Sequence, residues 1–299
     1  MENPTKIRSV IPNKYDPRDK KYNKLVRTSA PFDWSKGYSV EDELRVALKD
    51  PNFKIPIKDQ GTSGSCGGQA AAYYLEVLEA LKTGVFSEKS AKDIYSQIHA
   101  SEGGVMPRDV VNWLIKKGIC REIIIPSYKN GLPPDEAFMQ EKRQTSMSRQ
   151  DAATAVPSTY AQVVKPNIDS LAQAIRDNHG VILVYGAKDN GTMRSADPVP
   201  SMDEVWAHFE YHCTAKIHNG AKKTGAPNSW GTFVGESGWQ WWGSEWLPHY
   251  STIYLVVDPI NPALKTTDLQ KITLIQQLLN VCYQLFAKLT GYSSKSIIN

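Results

Sequence analysis

The segment QGTSGSCGGQAAAYYLEVLEALKTG, residues 60–84, joins a Gly- and Ser-rich loop to an apolar helical pattern. Apolar side chains recur along one helical face at Tyr74, Leu75, Leu78 and Leu81. This spacing predicts a buried central helix over 66–82. We expect it to end at Gly84, because glycine adopts the left-handed backbone common at helix C-termini. Cys66 would then be the first residue of the helix.

Cys66 has two interpretations. A cysteine at a helix N-terminus lies among exposed N–H groups at the positive end of the dipole, which favours its thiolate. We therefore consider Cys66 a candidate nucleophile, and the alternative is a packed core thiol. Gly67 and Gly68 weaken the first helical turn by about 1 kcal/mol each. We interpret this pair as room for a substrate to approach the sulfur.

The remaining pattern places helices mainly in the first half and strands in the second. Helical spacing and capping residues predict further helices over 39–50, 106–118 and 167–180. Strand-like pieces follow, namely VILVYGA, EYHCTAKIHNG, PNSWGT, GWQWWG and STIYLVVD. This order indicates an α+β protein with two layers or subdomains. The polar stretch 135–155 permits a helix but suggests no role.

Composition excludes several classes of protein. The chain has 299 residues, with 35 Lys and Arg against 31 Asp and Glu, and its net charge of +4 is scattered. We therefore expect no nucleic-acid partner. No apolar stretch approaches the roughly 20 residues of a membrane helix, and the N-terminus shows no secretory signal. We expect no membrane association, and a location in the cytoplasm or in a virus particle.

The cysteines indicate thiols rather than a disulfide scaffold. Cys66, Cys120, Cys213 and Cys282 contain no CxxC pair, so a zinc ribbon or a thioredoxin-type motif is not expected. Four cysteines in a chain of this length do not form a disulfide framework. Reduced thiols in a reducing compartment are the simpler interpretation.

A nucleophilic cysteine needs a histidine base from elsewhere in the chain. His212 lies in an alternating strand pattern, and Asn228 follows sixteen residues later, where it could orient the imidazole under the cover of Trp230. His208 and His212 also form an HxxxH pair, which would bind zinc on a helix. On a strand they are too far apart for one metal. We therefore predict neither a metal nor a cofactor.

These residues carry a family resemblance. PIKDQGTSGSC is similar to the active-site entry of papain-like cysteine peptidases, and YHCTAKIHNG followed by NSWG resembles the histidine strand and asparagine turn of that family. EGGVMPRDVVNWLIKKGI resembles the segment whose paired glycines line the substrate cleft. The resemblance covers about residues 31–258. It implies an α+β papain-like fold of two subdomains, a helical left half and a β-rich right half.

The resemblance also implies roles for individual residues. Cys66 is the nucleophile, His212 its ion-pair partner and general base and acid, and Asn228 orients His212. Gln60 and the backbone N–H of Cys66 stabilise the oxyanion. The residues implied to contact the substrate are Gly103, Gly104, Trp230, Tyr211 and Cys213.

The chain departs from the family pattern at four positions. Gly67 stands where the family usually has a tryptophan, and Val234 stands where it has a second one. Ser63 and Ser101 occupy the positions of a family disulfide, so both partners are absent together. The two missing tryptophans affect the cleft shape, and the two missing cysteines agree with a reducing environment.

We divide the chain into three regions. Residues 1–30 form an extended arm, too short for the helical pro-segment of secreted family members. Residues 31–260 form the papain-like domain, and residues 261–299 an appended amphipathic helix. An apolar seam runs from Ile272 to Leu289 at steps of 3 and 4. Residues 267–290 either fold back on the domain or provide a surface for self-association or a partner.

The expected function is peptide-bond hydrolysis by a thiol endopeptidase acting through a Cys-His-Asn site and a thioester acyl-enzyme. Its substrate would be a peptide or protein. One alternative is a papain-fold structural or assembly module with reduced or no activity, for example in a bacteriophage virion or tail. A second alternative is a peptidoglycan hydrolase.

Overall fold

A computed structural model describes residue 21 and residues 30–157, 159–187, 190–201 and 206–257. Within them, seven α-helices and two four-stranded antiparallel sheets form an α+β fold of two subdomains. The predicted fold class is thus confirmed. The predicted arm 1–30, apart from Lys21 and Ala30, and the predicted helix 261–299 lie outside the described residues.

The helices lie mainly in the first half of the described chain. Their bounds are α1 Val40–Leu48, α2 Cys66–Thr83, α3 Ala91–Ile98, α4 Pro107–Lys117, α5 Glu136–Gln140, α6 Ser146–Ala152 and α7 Ile168–Asp177. Helix α2 is the central one and is buried from Cys66 to Ala80. No helix of the described residues is long and apolar enough to cross a membrane.

The strands make two sheets. They are β1 Tyr38–Ser39, β2 Thr159–Gln162, β3 Val181–Ala187, β4 Trp206–His212, β5 Thr214–His218, β6 Ala221–Pro227, β7 Trp239–Trp242 and β8 Tyr250–Val257. One sheet has the order β1-β5-β6-β7 and the other β2-β8-β3-β4. Only Cys213 separates β4 from β5, so the chain passes directly from one sheet to the other at this point.

Most of the predicted elements are found, and the local chemistry explains their ends. Helix α2 ends at Gly84, whose φ of 70° is left-handed. Helix α4 begins at Pro107 and is followed by Gly118. Sequence reasoning missed the short helix α3, and it treated 135–155, which contains α5 and α6, only as a stretch that permits a helix. It also predicted a strand at PNSWGT, where β6 ends at Pro227 and the rest has only an isolated bridge between Trp230 and Asp59.

The two glycines after Cys66 bring neighbouring elements close to the start of α2. A Cβ on Gly67 would lie 2.5 Å from Val105 Cγ2 and 3.3 Å from Phe209 Cε2. A Cβ on Gly68 would lie 2.7 Å from the Ala91 carbonyl oxygen. The interpretation of these glycines as room for a substrate is therefore corrected. They allow β4 and α3 to pack against the N-terminal end of α2.

Buried ion pairs connect the segments around α2. Lys58 Nζ lies 2.7 Å from Glu76 Oε1, and Lys89 Nζ lies 2.8 Å from Glu79 Oε2. All four side chains are almost completely buried. The three cysteines of the described residues form no disulfide. These charged contacts, rather than a disulfide, join the loop before α2 and the loop after it to the helix.

Candidate active site

Asn228 is hydrogen-bonded to His208. The distance between Asn228 Oδ1 and His208 Nε2 is 3.3 Å, and both side chains are buried. The predicted pairing of Asn228 with His212 is not found. His212 instead places Nδ1 at 2.9 Å from Thr224 Oγ1 and Nε2 at 3.2 Å from Glu210 Oε2. Because residues four apart on a strand are about 13 Å apart, Asn228 reaches only one of the two imidazoles.

The hydrogen bonds of Asn228 determine the tautomer of His208. Asn228 Nδ2 donates to Glu210 Oε1 at 3.0 Å and also to Gln240 Oε1. Two acceptors therefore identify this atom as the amide nitrogen, and Oδ1 must face His208. An oxygen accepts, so His208 Nε2 carries the hydrogen. His208 Nδ1 is consequently the nitrogen with a lone pair, the one that can take up a proton.

Trp230 covers the His208 imidazole. The two ring centroids are 4.3 Å apart, with 33° between the ring planes. Burial lowers the pKa of His208 to about 3, and the hydrogen bond with Asn228 opposes this shift. The imidazole is therefore neutral near pH 7, in the form that accepts a proton. Trp230 was predicted to shield a histidine–asparagine pair, and it covers His208 rather than His212.

Cys66 is the first residue of α2 and is 0% exposed. The preceding residue, Ser65, makes no side-chain capping bond to the first turn. Burial raises the pKa of Tyr185, and nearby Glu210 and Cys66 raise it further. The ring of Tyr185 is 5.8 Å from that of His208. The Tyr185 ring therefore lies beside His208, and Cys66 is within electrostatic range of its hydroxyl.

Gln60 links the loop before Cys66 to the turn that carries Asn228. Its Oε1 accepts from Ser229 Oγ at 2.7 Å, and its backbone N–H donates to the Ser229 carbonyl at 2.8 Å. Its Nε2 donates to the Ser63 carbonyl at 2.8 Å. That bond uses one of the two hydrogens on Nε2. The amide predicted to stabilise an oxyanion thus lies at the junction of the two motifs.

Gly103 and Gly104 use main-chain groups within the protein. Gly103 N donates to the Ala100 carbonyl, and the Gly104 carbonyl accepts from Ala100 N, both at 3.0 Å. Gly104 N donates to the hydroxyl of Tyr95 at 3.0 Å. Both glycines are buried, with φ values of 85° and 74°. The N–H groups of both glycines are therefore already used within the protein.

The segment without a predicted role supports this part of the molecule. Glu136, the first residue of α5, accepts from Gly64 N at 2.6 Å and from the Tyr95 hydroxyl. Because Tyr95 binds Gly104, this one carboxylate connects the loop before Cys66 to the paired glycines. Sequence reasoning missed Glu136, since only an acidic residue after the cap Asp135 marked it.

Tyr211 and Cys213 are core residues. Both are 0% exposed, and both pack in the apolar cluster that contains α2. The Tyr211 hydroxyl donates to the His179 carbonyl. The prediction that they contact the substrate depended on their position beside His212. The structure does not place them at a cleft.

No three or more His, Cys, Asp or Glu side chains in the described residues cluster as ligands of a metal ion would. His208 and His212 lie on one strand, as predicted, with Glu210 between them. Their nitrogens bond to Asn228, Glu210 and Thr224. What the arrangement provides is a neutral imidazole with a defined tautomer near a cysteine at a helix N-terminus.

Comparison with known proteins identifies the fold. The fold is that of papain-like cysteine proteases. Xylellain, a cysteine protease from Xylella fastidiosa, superposes with a TM-score of 0.63 at 19% identity, covering 83% of this chain and 94% of xylellain. Procathepsin L2 from the larval midgut of Tenebrio molitor gives 0.61 at 15% identity, covering 85% of this chain and 78% of that chain. ProCathepsin B S9 from Trypanosoma congolense gives 0.58 at 14% identity, with coverage of 85% and 84%.

Sequence comparison gives a weaker likeness in the same direction. Peptidase 1 of Dermatophagoides pteronyssinus is 26% identical over 156 residues, which span 51% of this chain and 44% of the mite protein. The chain therefore matches less than half of that relative. No family model matches the chain. The predicted resemblance to papain-like cysteine peptidases is confirmed.

Proposed function

We propose that the protein is a cysteine peptidase in which Cys66 is the nucleophile, His208 is the general base and acid, and Asn228 orients His208. The observation that carries this proposal is the hydrogen bond from His208 Nε2 to Asn228 Oδ1 beneath Trp230. It leaves Nδ1 as the basic nitrogen. His208 thus takes the role that spacing had assigned to His212.

The close packing of α2 on β4 supports the pairing of Cys66 with His208. Phe209 contacts the Gly67 position, so the main chain of β4 at His208 and the start of α2 at Cys66 lie close together. His212 stands further along β4, and both of its ring nitrogens have partners. It is therefore not the base in this proposal.

The reaction that these groups support begins from a neutral pair. Cys66 Sγ attacks the peptide carbonyl carbon while its proton passes to His208 Nδ1. The carbonyl oxygen becomes an oxyanion, which the Cys66 backbone N–H and the second hydrogen of Gln60 Nε2 stabilise. Collapse breaks the C–N bond, and the imidazolium gives its proton to the leaving amine.

Hydrolysis of the thioester completes the cycle. Water attacks the thioester carbonyl and transfers a proton to His208, and the second tetrahedral species expels the sulfur. The acid product leaves, and the proton returns to Cys66. Asn228 holds the imidazole in one tautomer through both steps, so the same nitrogen accepts and donates.

A second candidate function is a papain-fold structural module with reduced activity. It is supported by the closed state of the site, in which Cys66 is 0% exposed. The main-chain groups of Gly104 are also bonded internally. A protein that keeps this closed state would react slowly with substrates even though its catalytic groups are complete.

Labelling with an epoxide inhibitor of cysteine peptidases, followed by intact mass and peptide mapping, tests the proposal. We expect one adduct, on Cys66, lost in Cys66→Ala and at least 100-fold slower in His208→Ala. Cys213→Ala is the matched control, because Cys213 is another buried thiol, and it should label normally. Labelling that survives unchanged in His208→Ala contradicts the proposal.

Cleavage of denatured protein and of purified peptidoglycan by the same preparations separates the candidate functions. A peptidase cleaves the first substrate at a rate that depends on Cys66. Labelling of Cys66 without cleavage of either substrate would favour the structural module.

A further inference from the structure

Glu210 connects the two histidines of β4. It is 2% exposed and lies on the same strand face as His208 and His212, because side chains two residues apart point to one side. Oε1 accepts from Asn228 Nδ2 at 3.0 Å, and Oε2 lies 3.2 Å from His212 Nε2. The carboxyl group of Glu210 thus contacts both Asn228, which is bonded to His208, and His212, which is not bonded to Asn228.

The surroundings of this carboxyl group favour a neutral pair. Burial raises the pKa of Glu210 well above its ordinary value, and burial lowers the pKa of His212 to about 3. Both shifts keep the proton on the carboxyl oxygen Oε2, which then donates to His212 Nε2. His212 Nδ1–H in turn donates to Thr224 Oγ1 at 2.9 Å. Glu210 Oε1 remains a carbonyl-type acceptor for Asn228 and for the Tyr185 hydroxyl at 3.4 Å.

The side-chain amide of an asparagine can rotate by about 180°, which exchanges Oδ1 and Nδ2. Here the two orientations differ in energy. In the observed one, Nδ2 has two acceptors, Glu210 Oε1 and Gln240 Oε1, and Oδ1 accepts from His208. Turning the amide would place Oδ1 against both acceptors and Nδ2 against the hydrogen of His208 Nε2. Gln240 is itself held by bonds from its Nε2 to the Met193 and Ser195 carbonyls, both at 2.8 Å.

We propose that Glu210 is a positioning residue that acts through Asn228, as a neutral acid hydrogen-bonded to His212. It keeps Oδ1 of Asn228 toward His208 and so keeps the basic lone pair on His208 Nδ1. This proposal rests on the proposed function for its catalytic consequence. The orientation of Asn228 and the tautomer of His208 are properties that are measured without any turnover.

Substitutions at Glu210 test whether Asn228 needs an acceptor oxygen at this position or a negative charge. Glu210→Gln retains an acceptor for Asn228 and offers an N–H to His212 Nε2, so it imitates the neutral acid. Glu210→Ala removes the acceptor, and Glu210→Met does so while preserving volume if the alanine variant does not fold. His218→Gln is the control, because this ring stacks on Trp241 with centroids 4.2 Å apart, outside the network.

The readouts are the ¹⁵N shifts of the His208 ring, which report the tautomer, and the limiting rate and half-saturation concentration for epoxide labelling of Cys66. We expect Glu210→Gln to keep the Nε2–H tautomer and a limiting rate within about threefold of wild type. Glu210→Ala or Glu210→Met should give a mixture of tautomers and a limiting rate at least tenfold lower, with half-saturation unchanged. His218→Gln should match wild type.

Two outcomes overturn the proposal. If a folded Glu210→Ala or Glu210→Met protein keeps the wild-type tautomer, Glu210 does not orient Asn228. If Glu210→Gln loses as much rate as the alanine variant while it remains folded, the pair is not neutral. Failure of the wild-type protein to label at Cys66 would instead reject the proposed function, and the tautomer measurement would still decide the role of Glu210.

Discussion

Asn228 Oδ1 lies 3.3 Å from Nε2 of His208, although His212 stands at the sequence separation that the motif predicts. The reason is the geometry of strand β4, on which His208, Glu210 and His212 all face the same side. Asn228 meets the first of them, and Glu210 fills the space between Asn228 and His212. His208, rather than the His212 that spacing predicts, is therefore the histidine that Asn228 meets.

Trp230 should control the pKa of His208. Trp230→Ala opens one face of the imidazole to water, so the desolvation that lowers the pKa to about 3 weakens, and the pKa rises toward 6.5. Titration of the His208 ring signals by NMR measures this change. Trp230→Phe, which keeps an aromatic cover, is the control. An unchanged His208 pKa in Trp230→Ala would show that Trp230 does not exclude water from the ring.

The histidines of β4 should make the protein less stable in acid. Both have pKa values of about 3 when folded, against 6.5 when exposed. As the pH falls from about 6.5 toward 3, the two histidines bind protons in the unfolded chain but not in the folded protein. The free energy of unfolding therefore decreases. His212→Gln should reduce this slope by up to about 1.4 kcal/mol per pH unit. Urea unfolding between pH 5 and 6.5 measures it.

Glu210 should change the free energy of unfolding with pH in the opposite direction, so it serves as a control. Its raised pKa means that the folded protein retains a proton which the unfolded chain releases above about pH 4.5. Stability therefore falls as the pH rises through this window. Glu210→Gln removes that contribution and should make the slope between pH 5 and 6.5 steeper. Equal slopes in wild type and both variants would mean that neither group differs between the folded and unfolded states.

Gly67 should resist substitution because of Val105. In Gly67→Ala, the new Cβ would lie 2.5 Å from Val105 Cγ2, so we expect a loss of about 1–3 kcal/mol from overpacking. Val105→Ala removes the clashing methyl group. The double variant should be more stable than the sum of the two single losses predicts, as measured by urea unfolding. Strict additivity would show that the contact with Val105 is not the cause.

The buried pair Lys58–Glu76 should be sensitive to loss of one partner. Its charged atoms are 2.7 Å apart, and the side chains are 7% and 1% exposed. Glu76→Gln leaves a buried ammonium group with a weakened partner, so we expect a loss of about 3–5 kcal/mol. The matched control is Asp42→Asn, which breaks the pair with Arg45 on a side chain that is 70% exposed. That change should cost less than about 1 kcal/mol. Similar losses in the two variants would contradict a special contribution of the buried pair.

Local chemistry made much of the fold predictable. The apolar spacing after Cys66, the proline at the start of α4 and the glycines at helix ends act within a few residues, and α2 and α4 appear where these signals place them. The short helices α5 and α6 carried weaker signals. Their capping bonds are local, but the contacts of Glu136 with Gly64 and Tyr95 depend on segments far away in the chain.

The amino-acid sequence by itself determined the central helix, the cysteine at its N-terminus and the asparagine turn, because these depend on periodicity and on residues adjacent in the chain. Only the tertiary structure decided which histidine meets Asn228. A strand presents every second residue on the same face, so spacing alone does not distinguish His208 from His212. The pairing of β4 with β3, and the path of the chain through β5 and β6 to the turn, bring Asn228 beside His208.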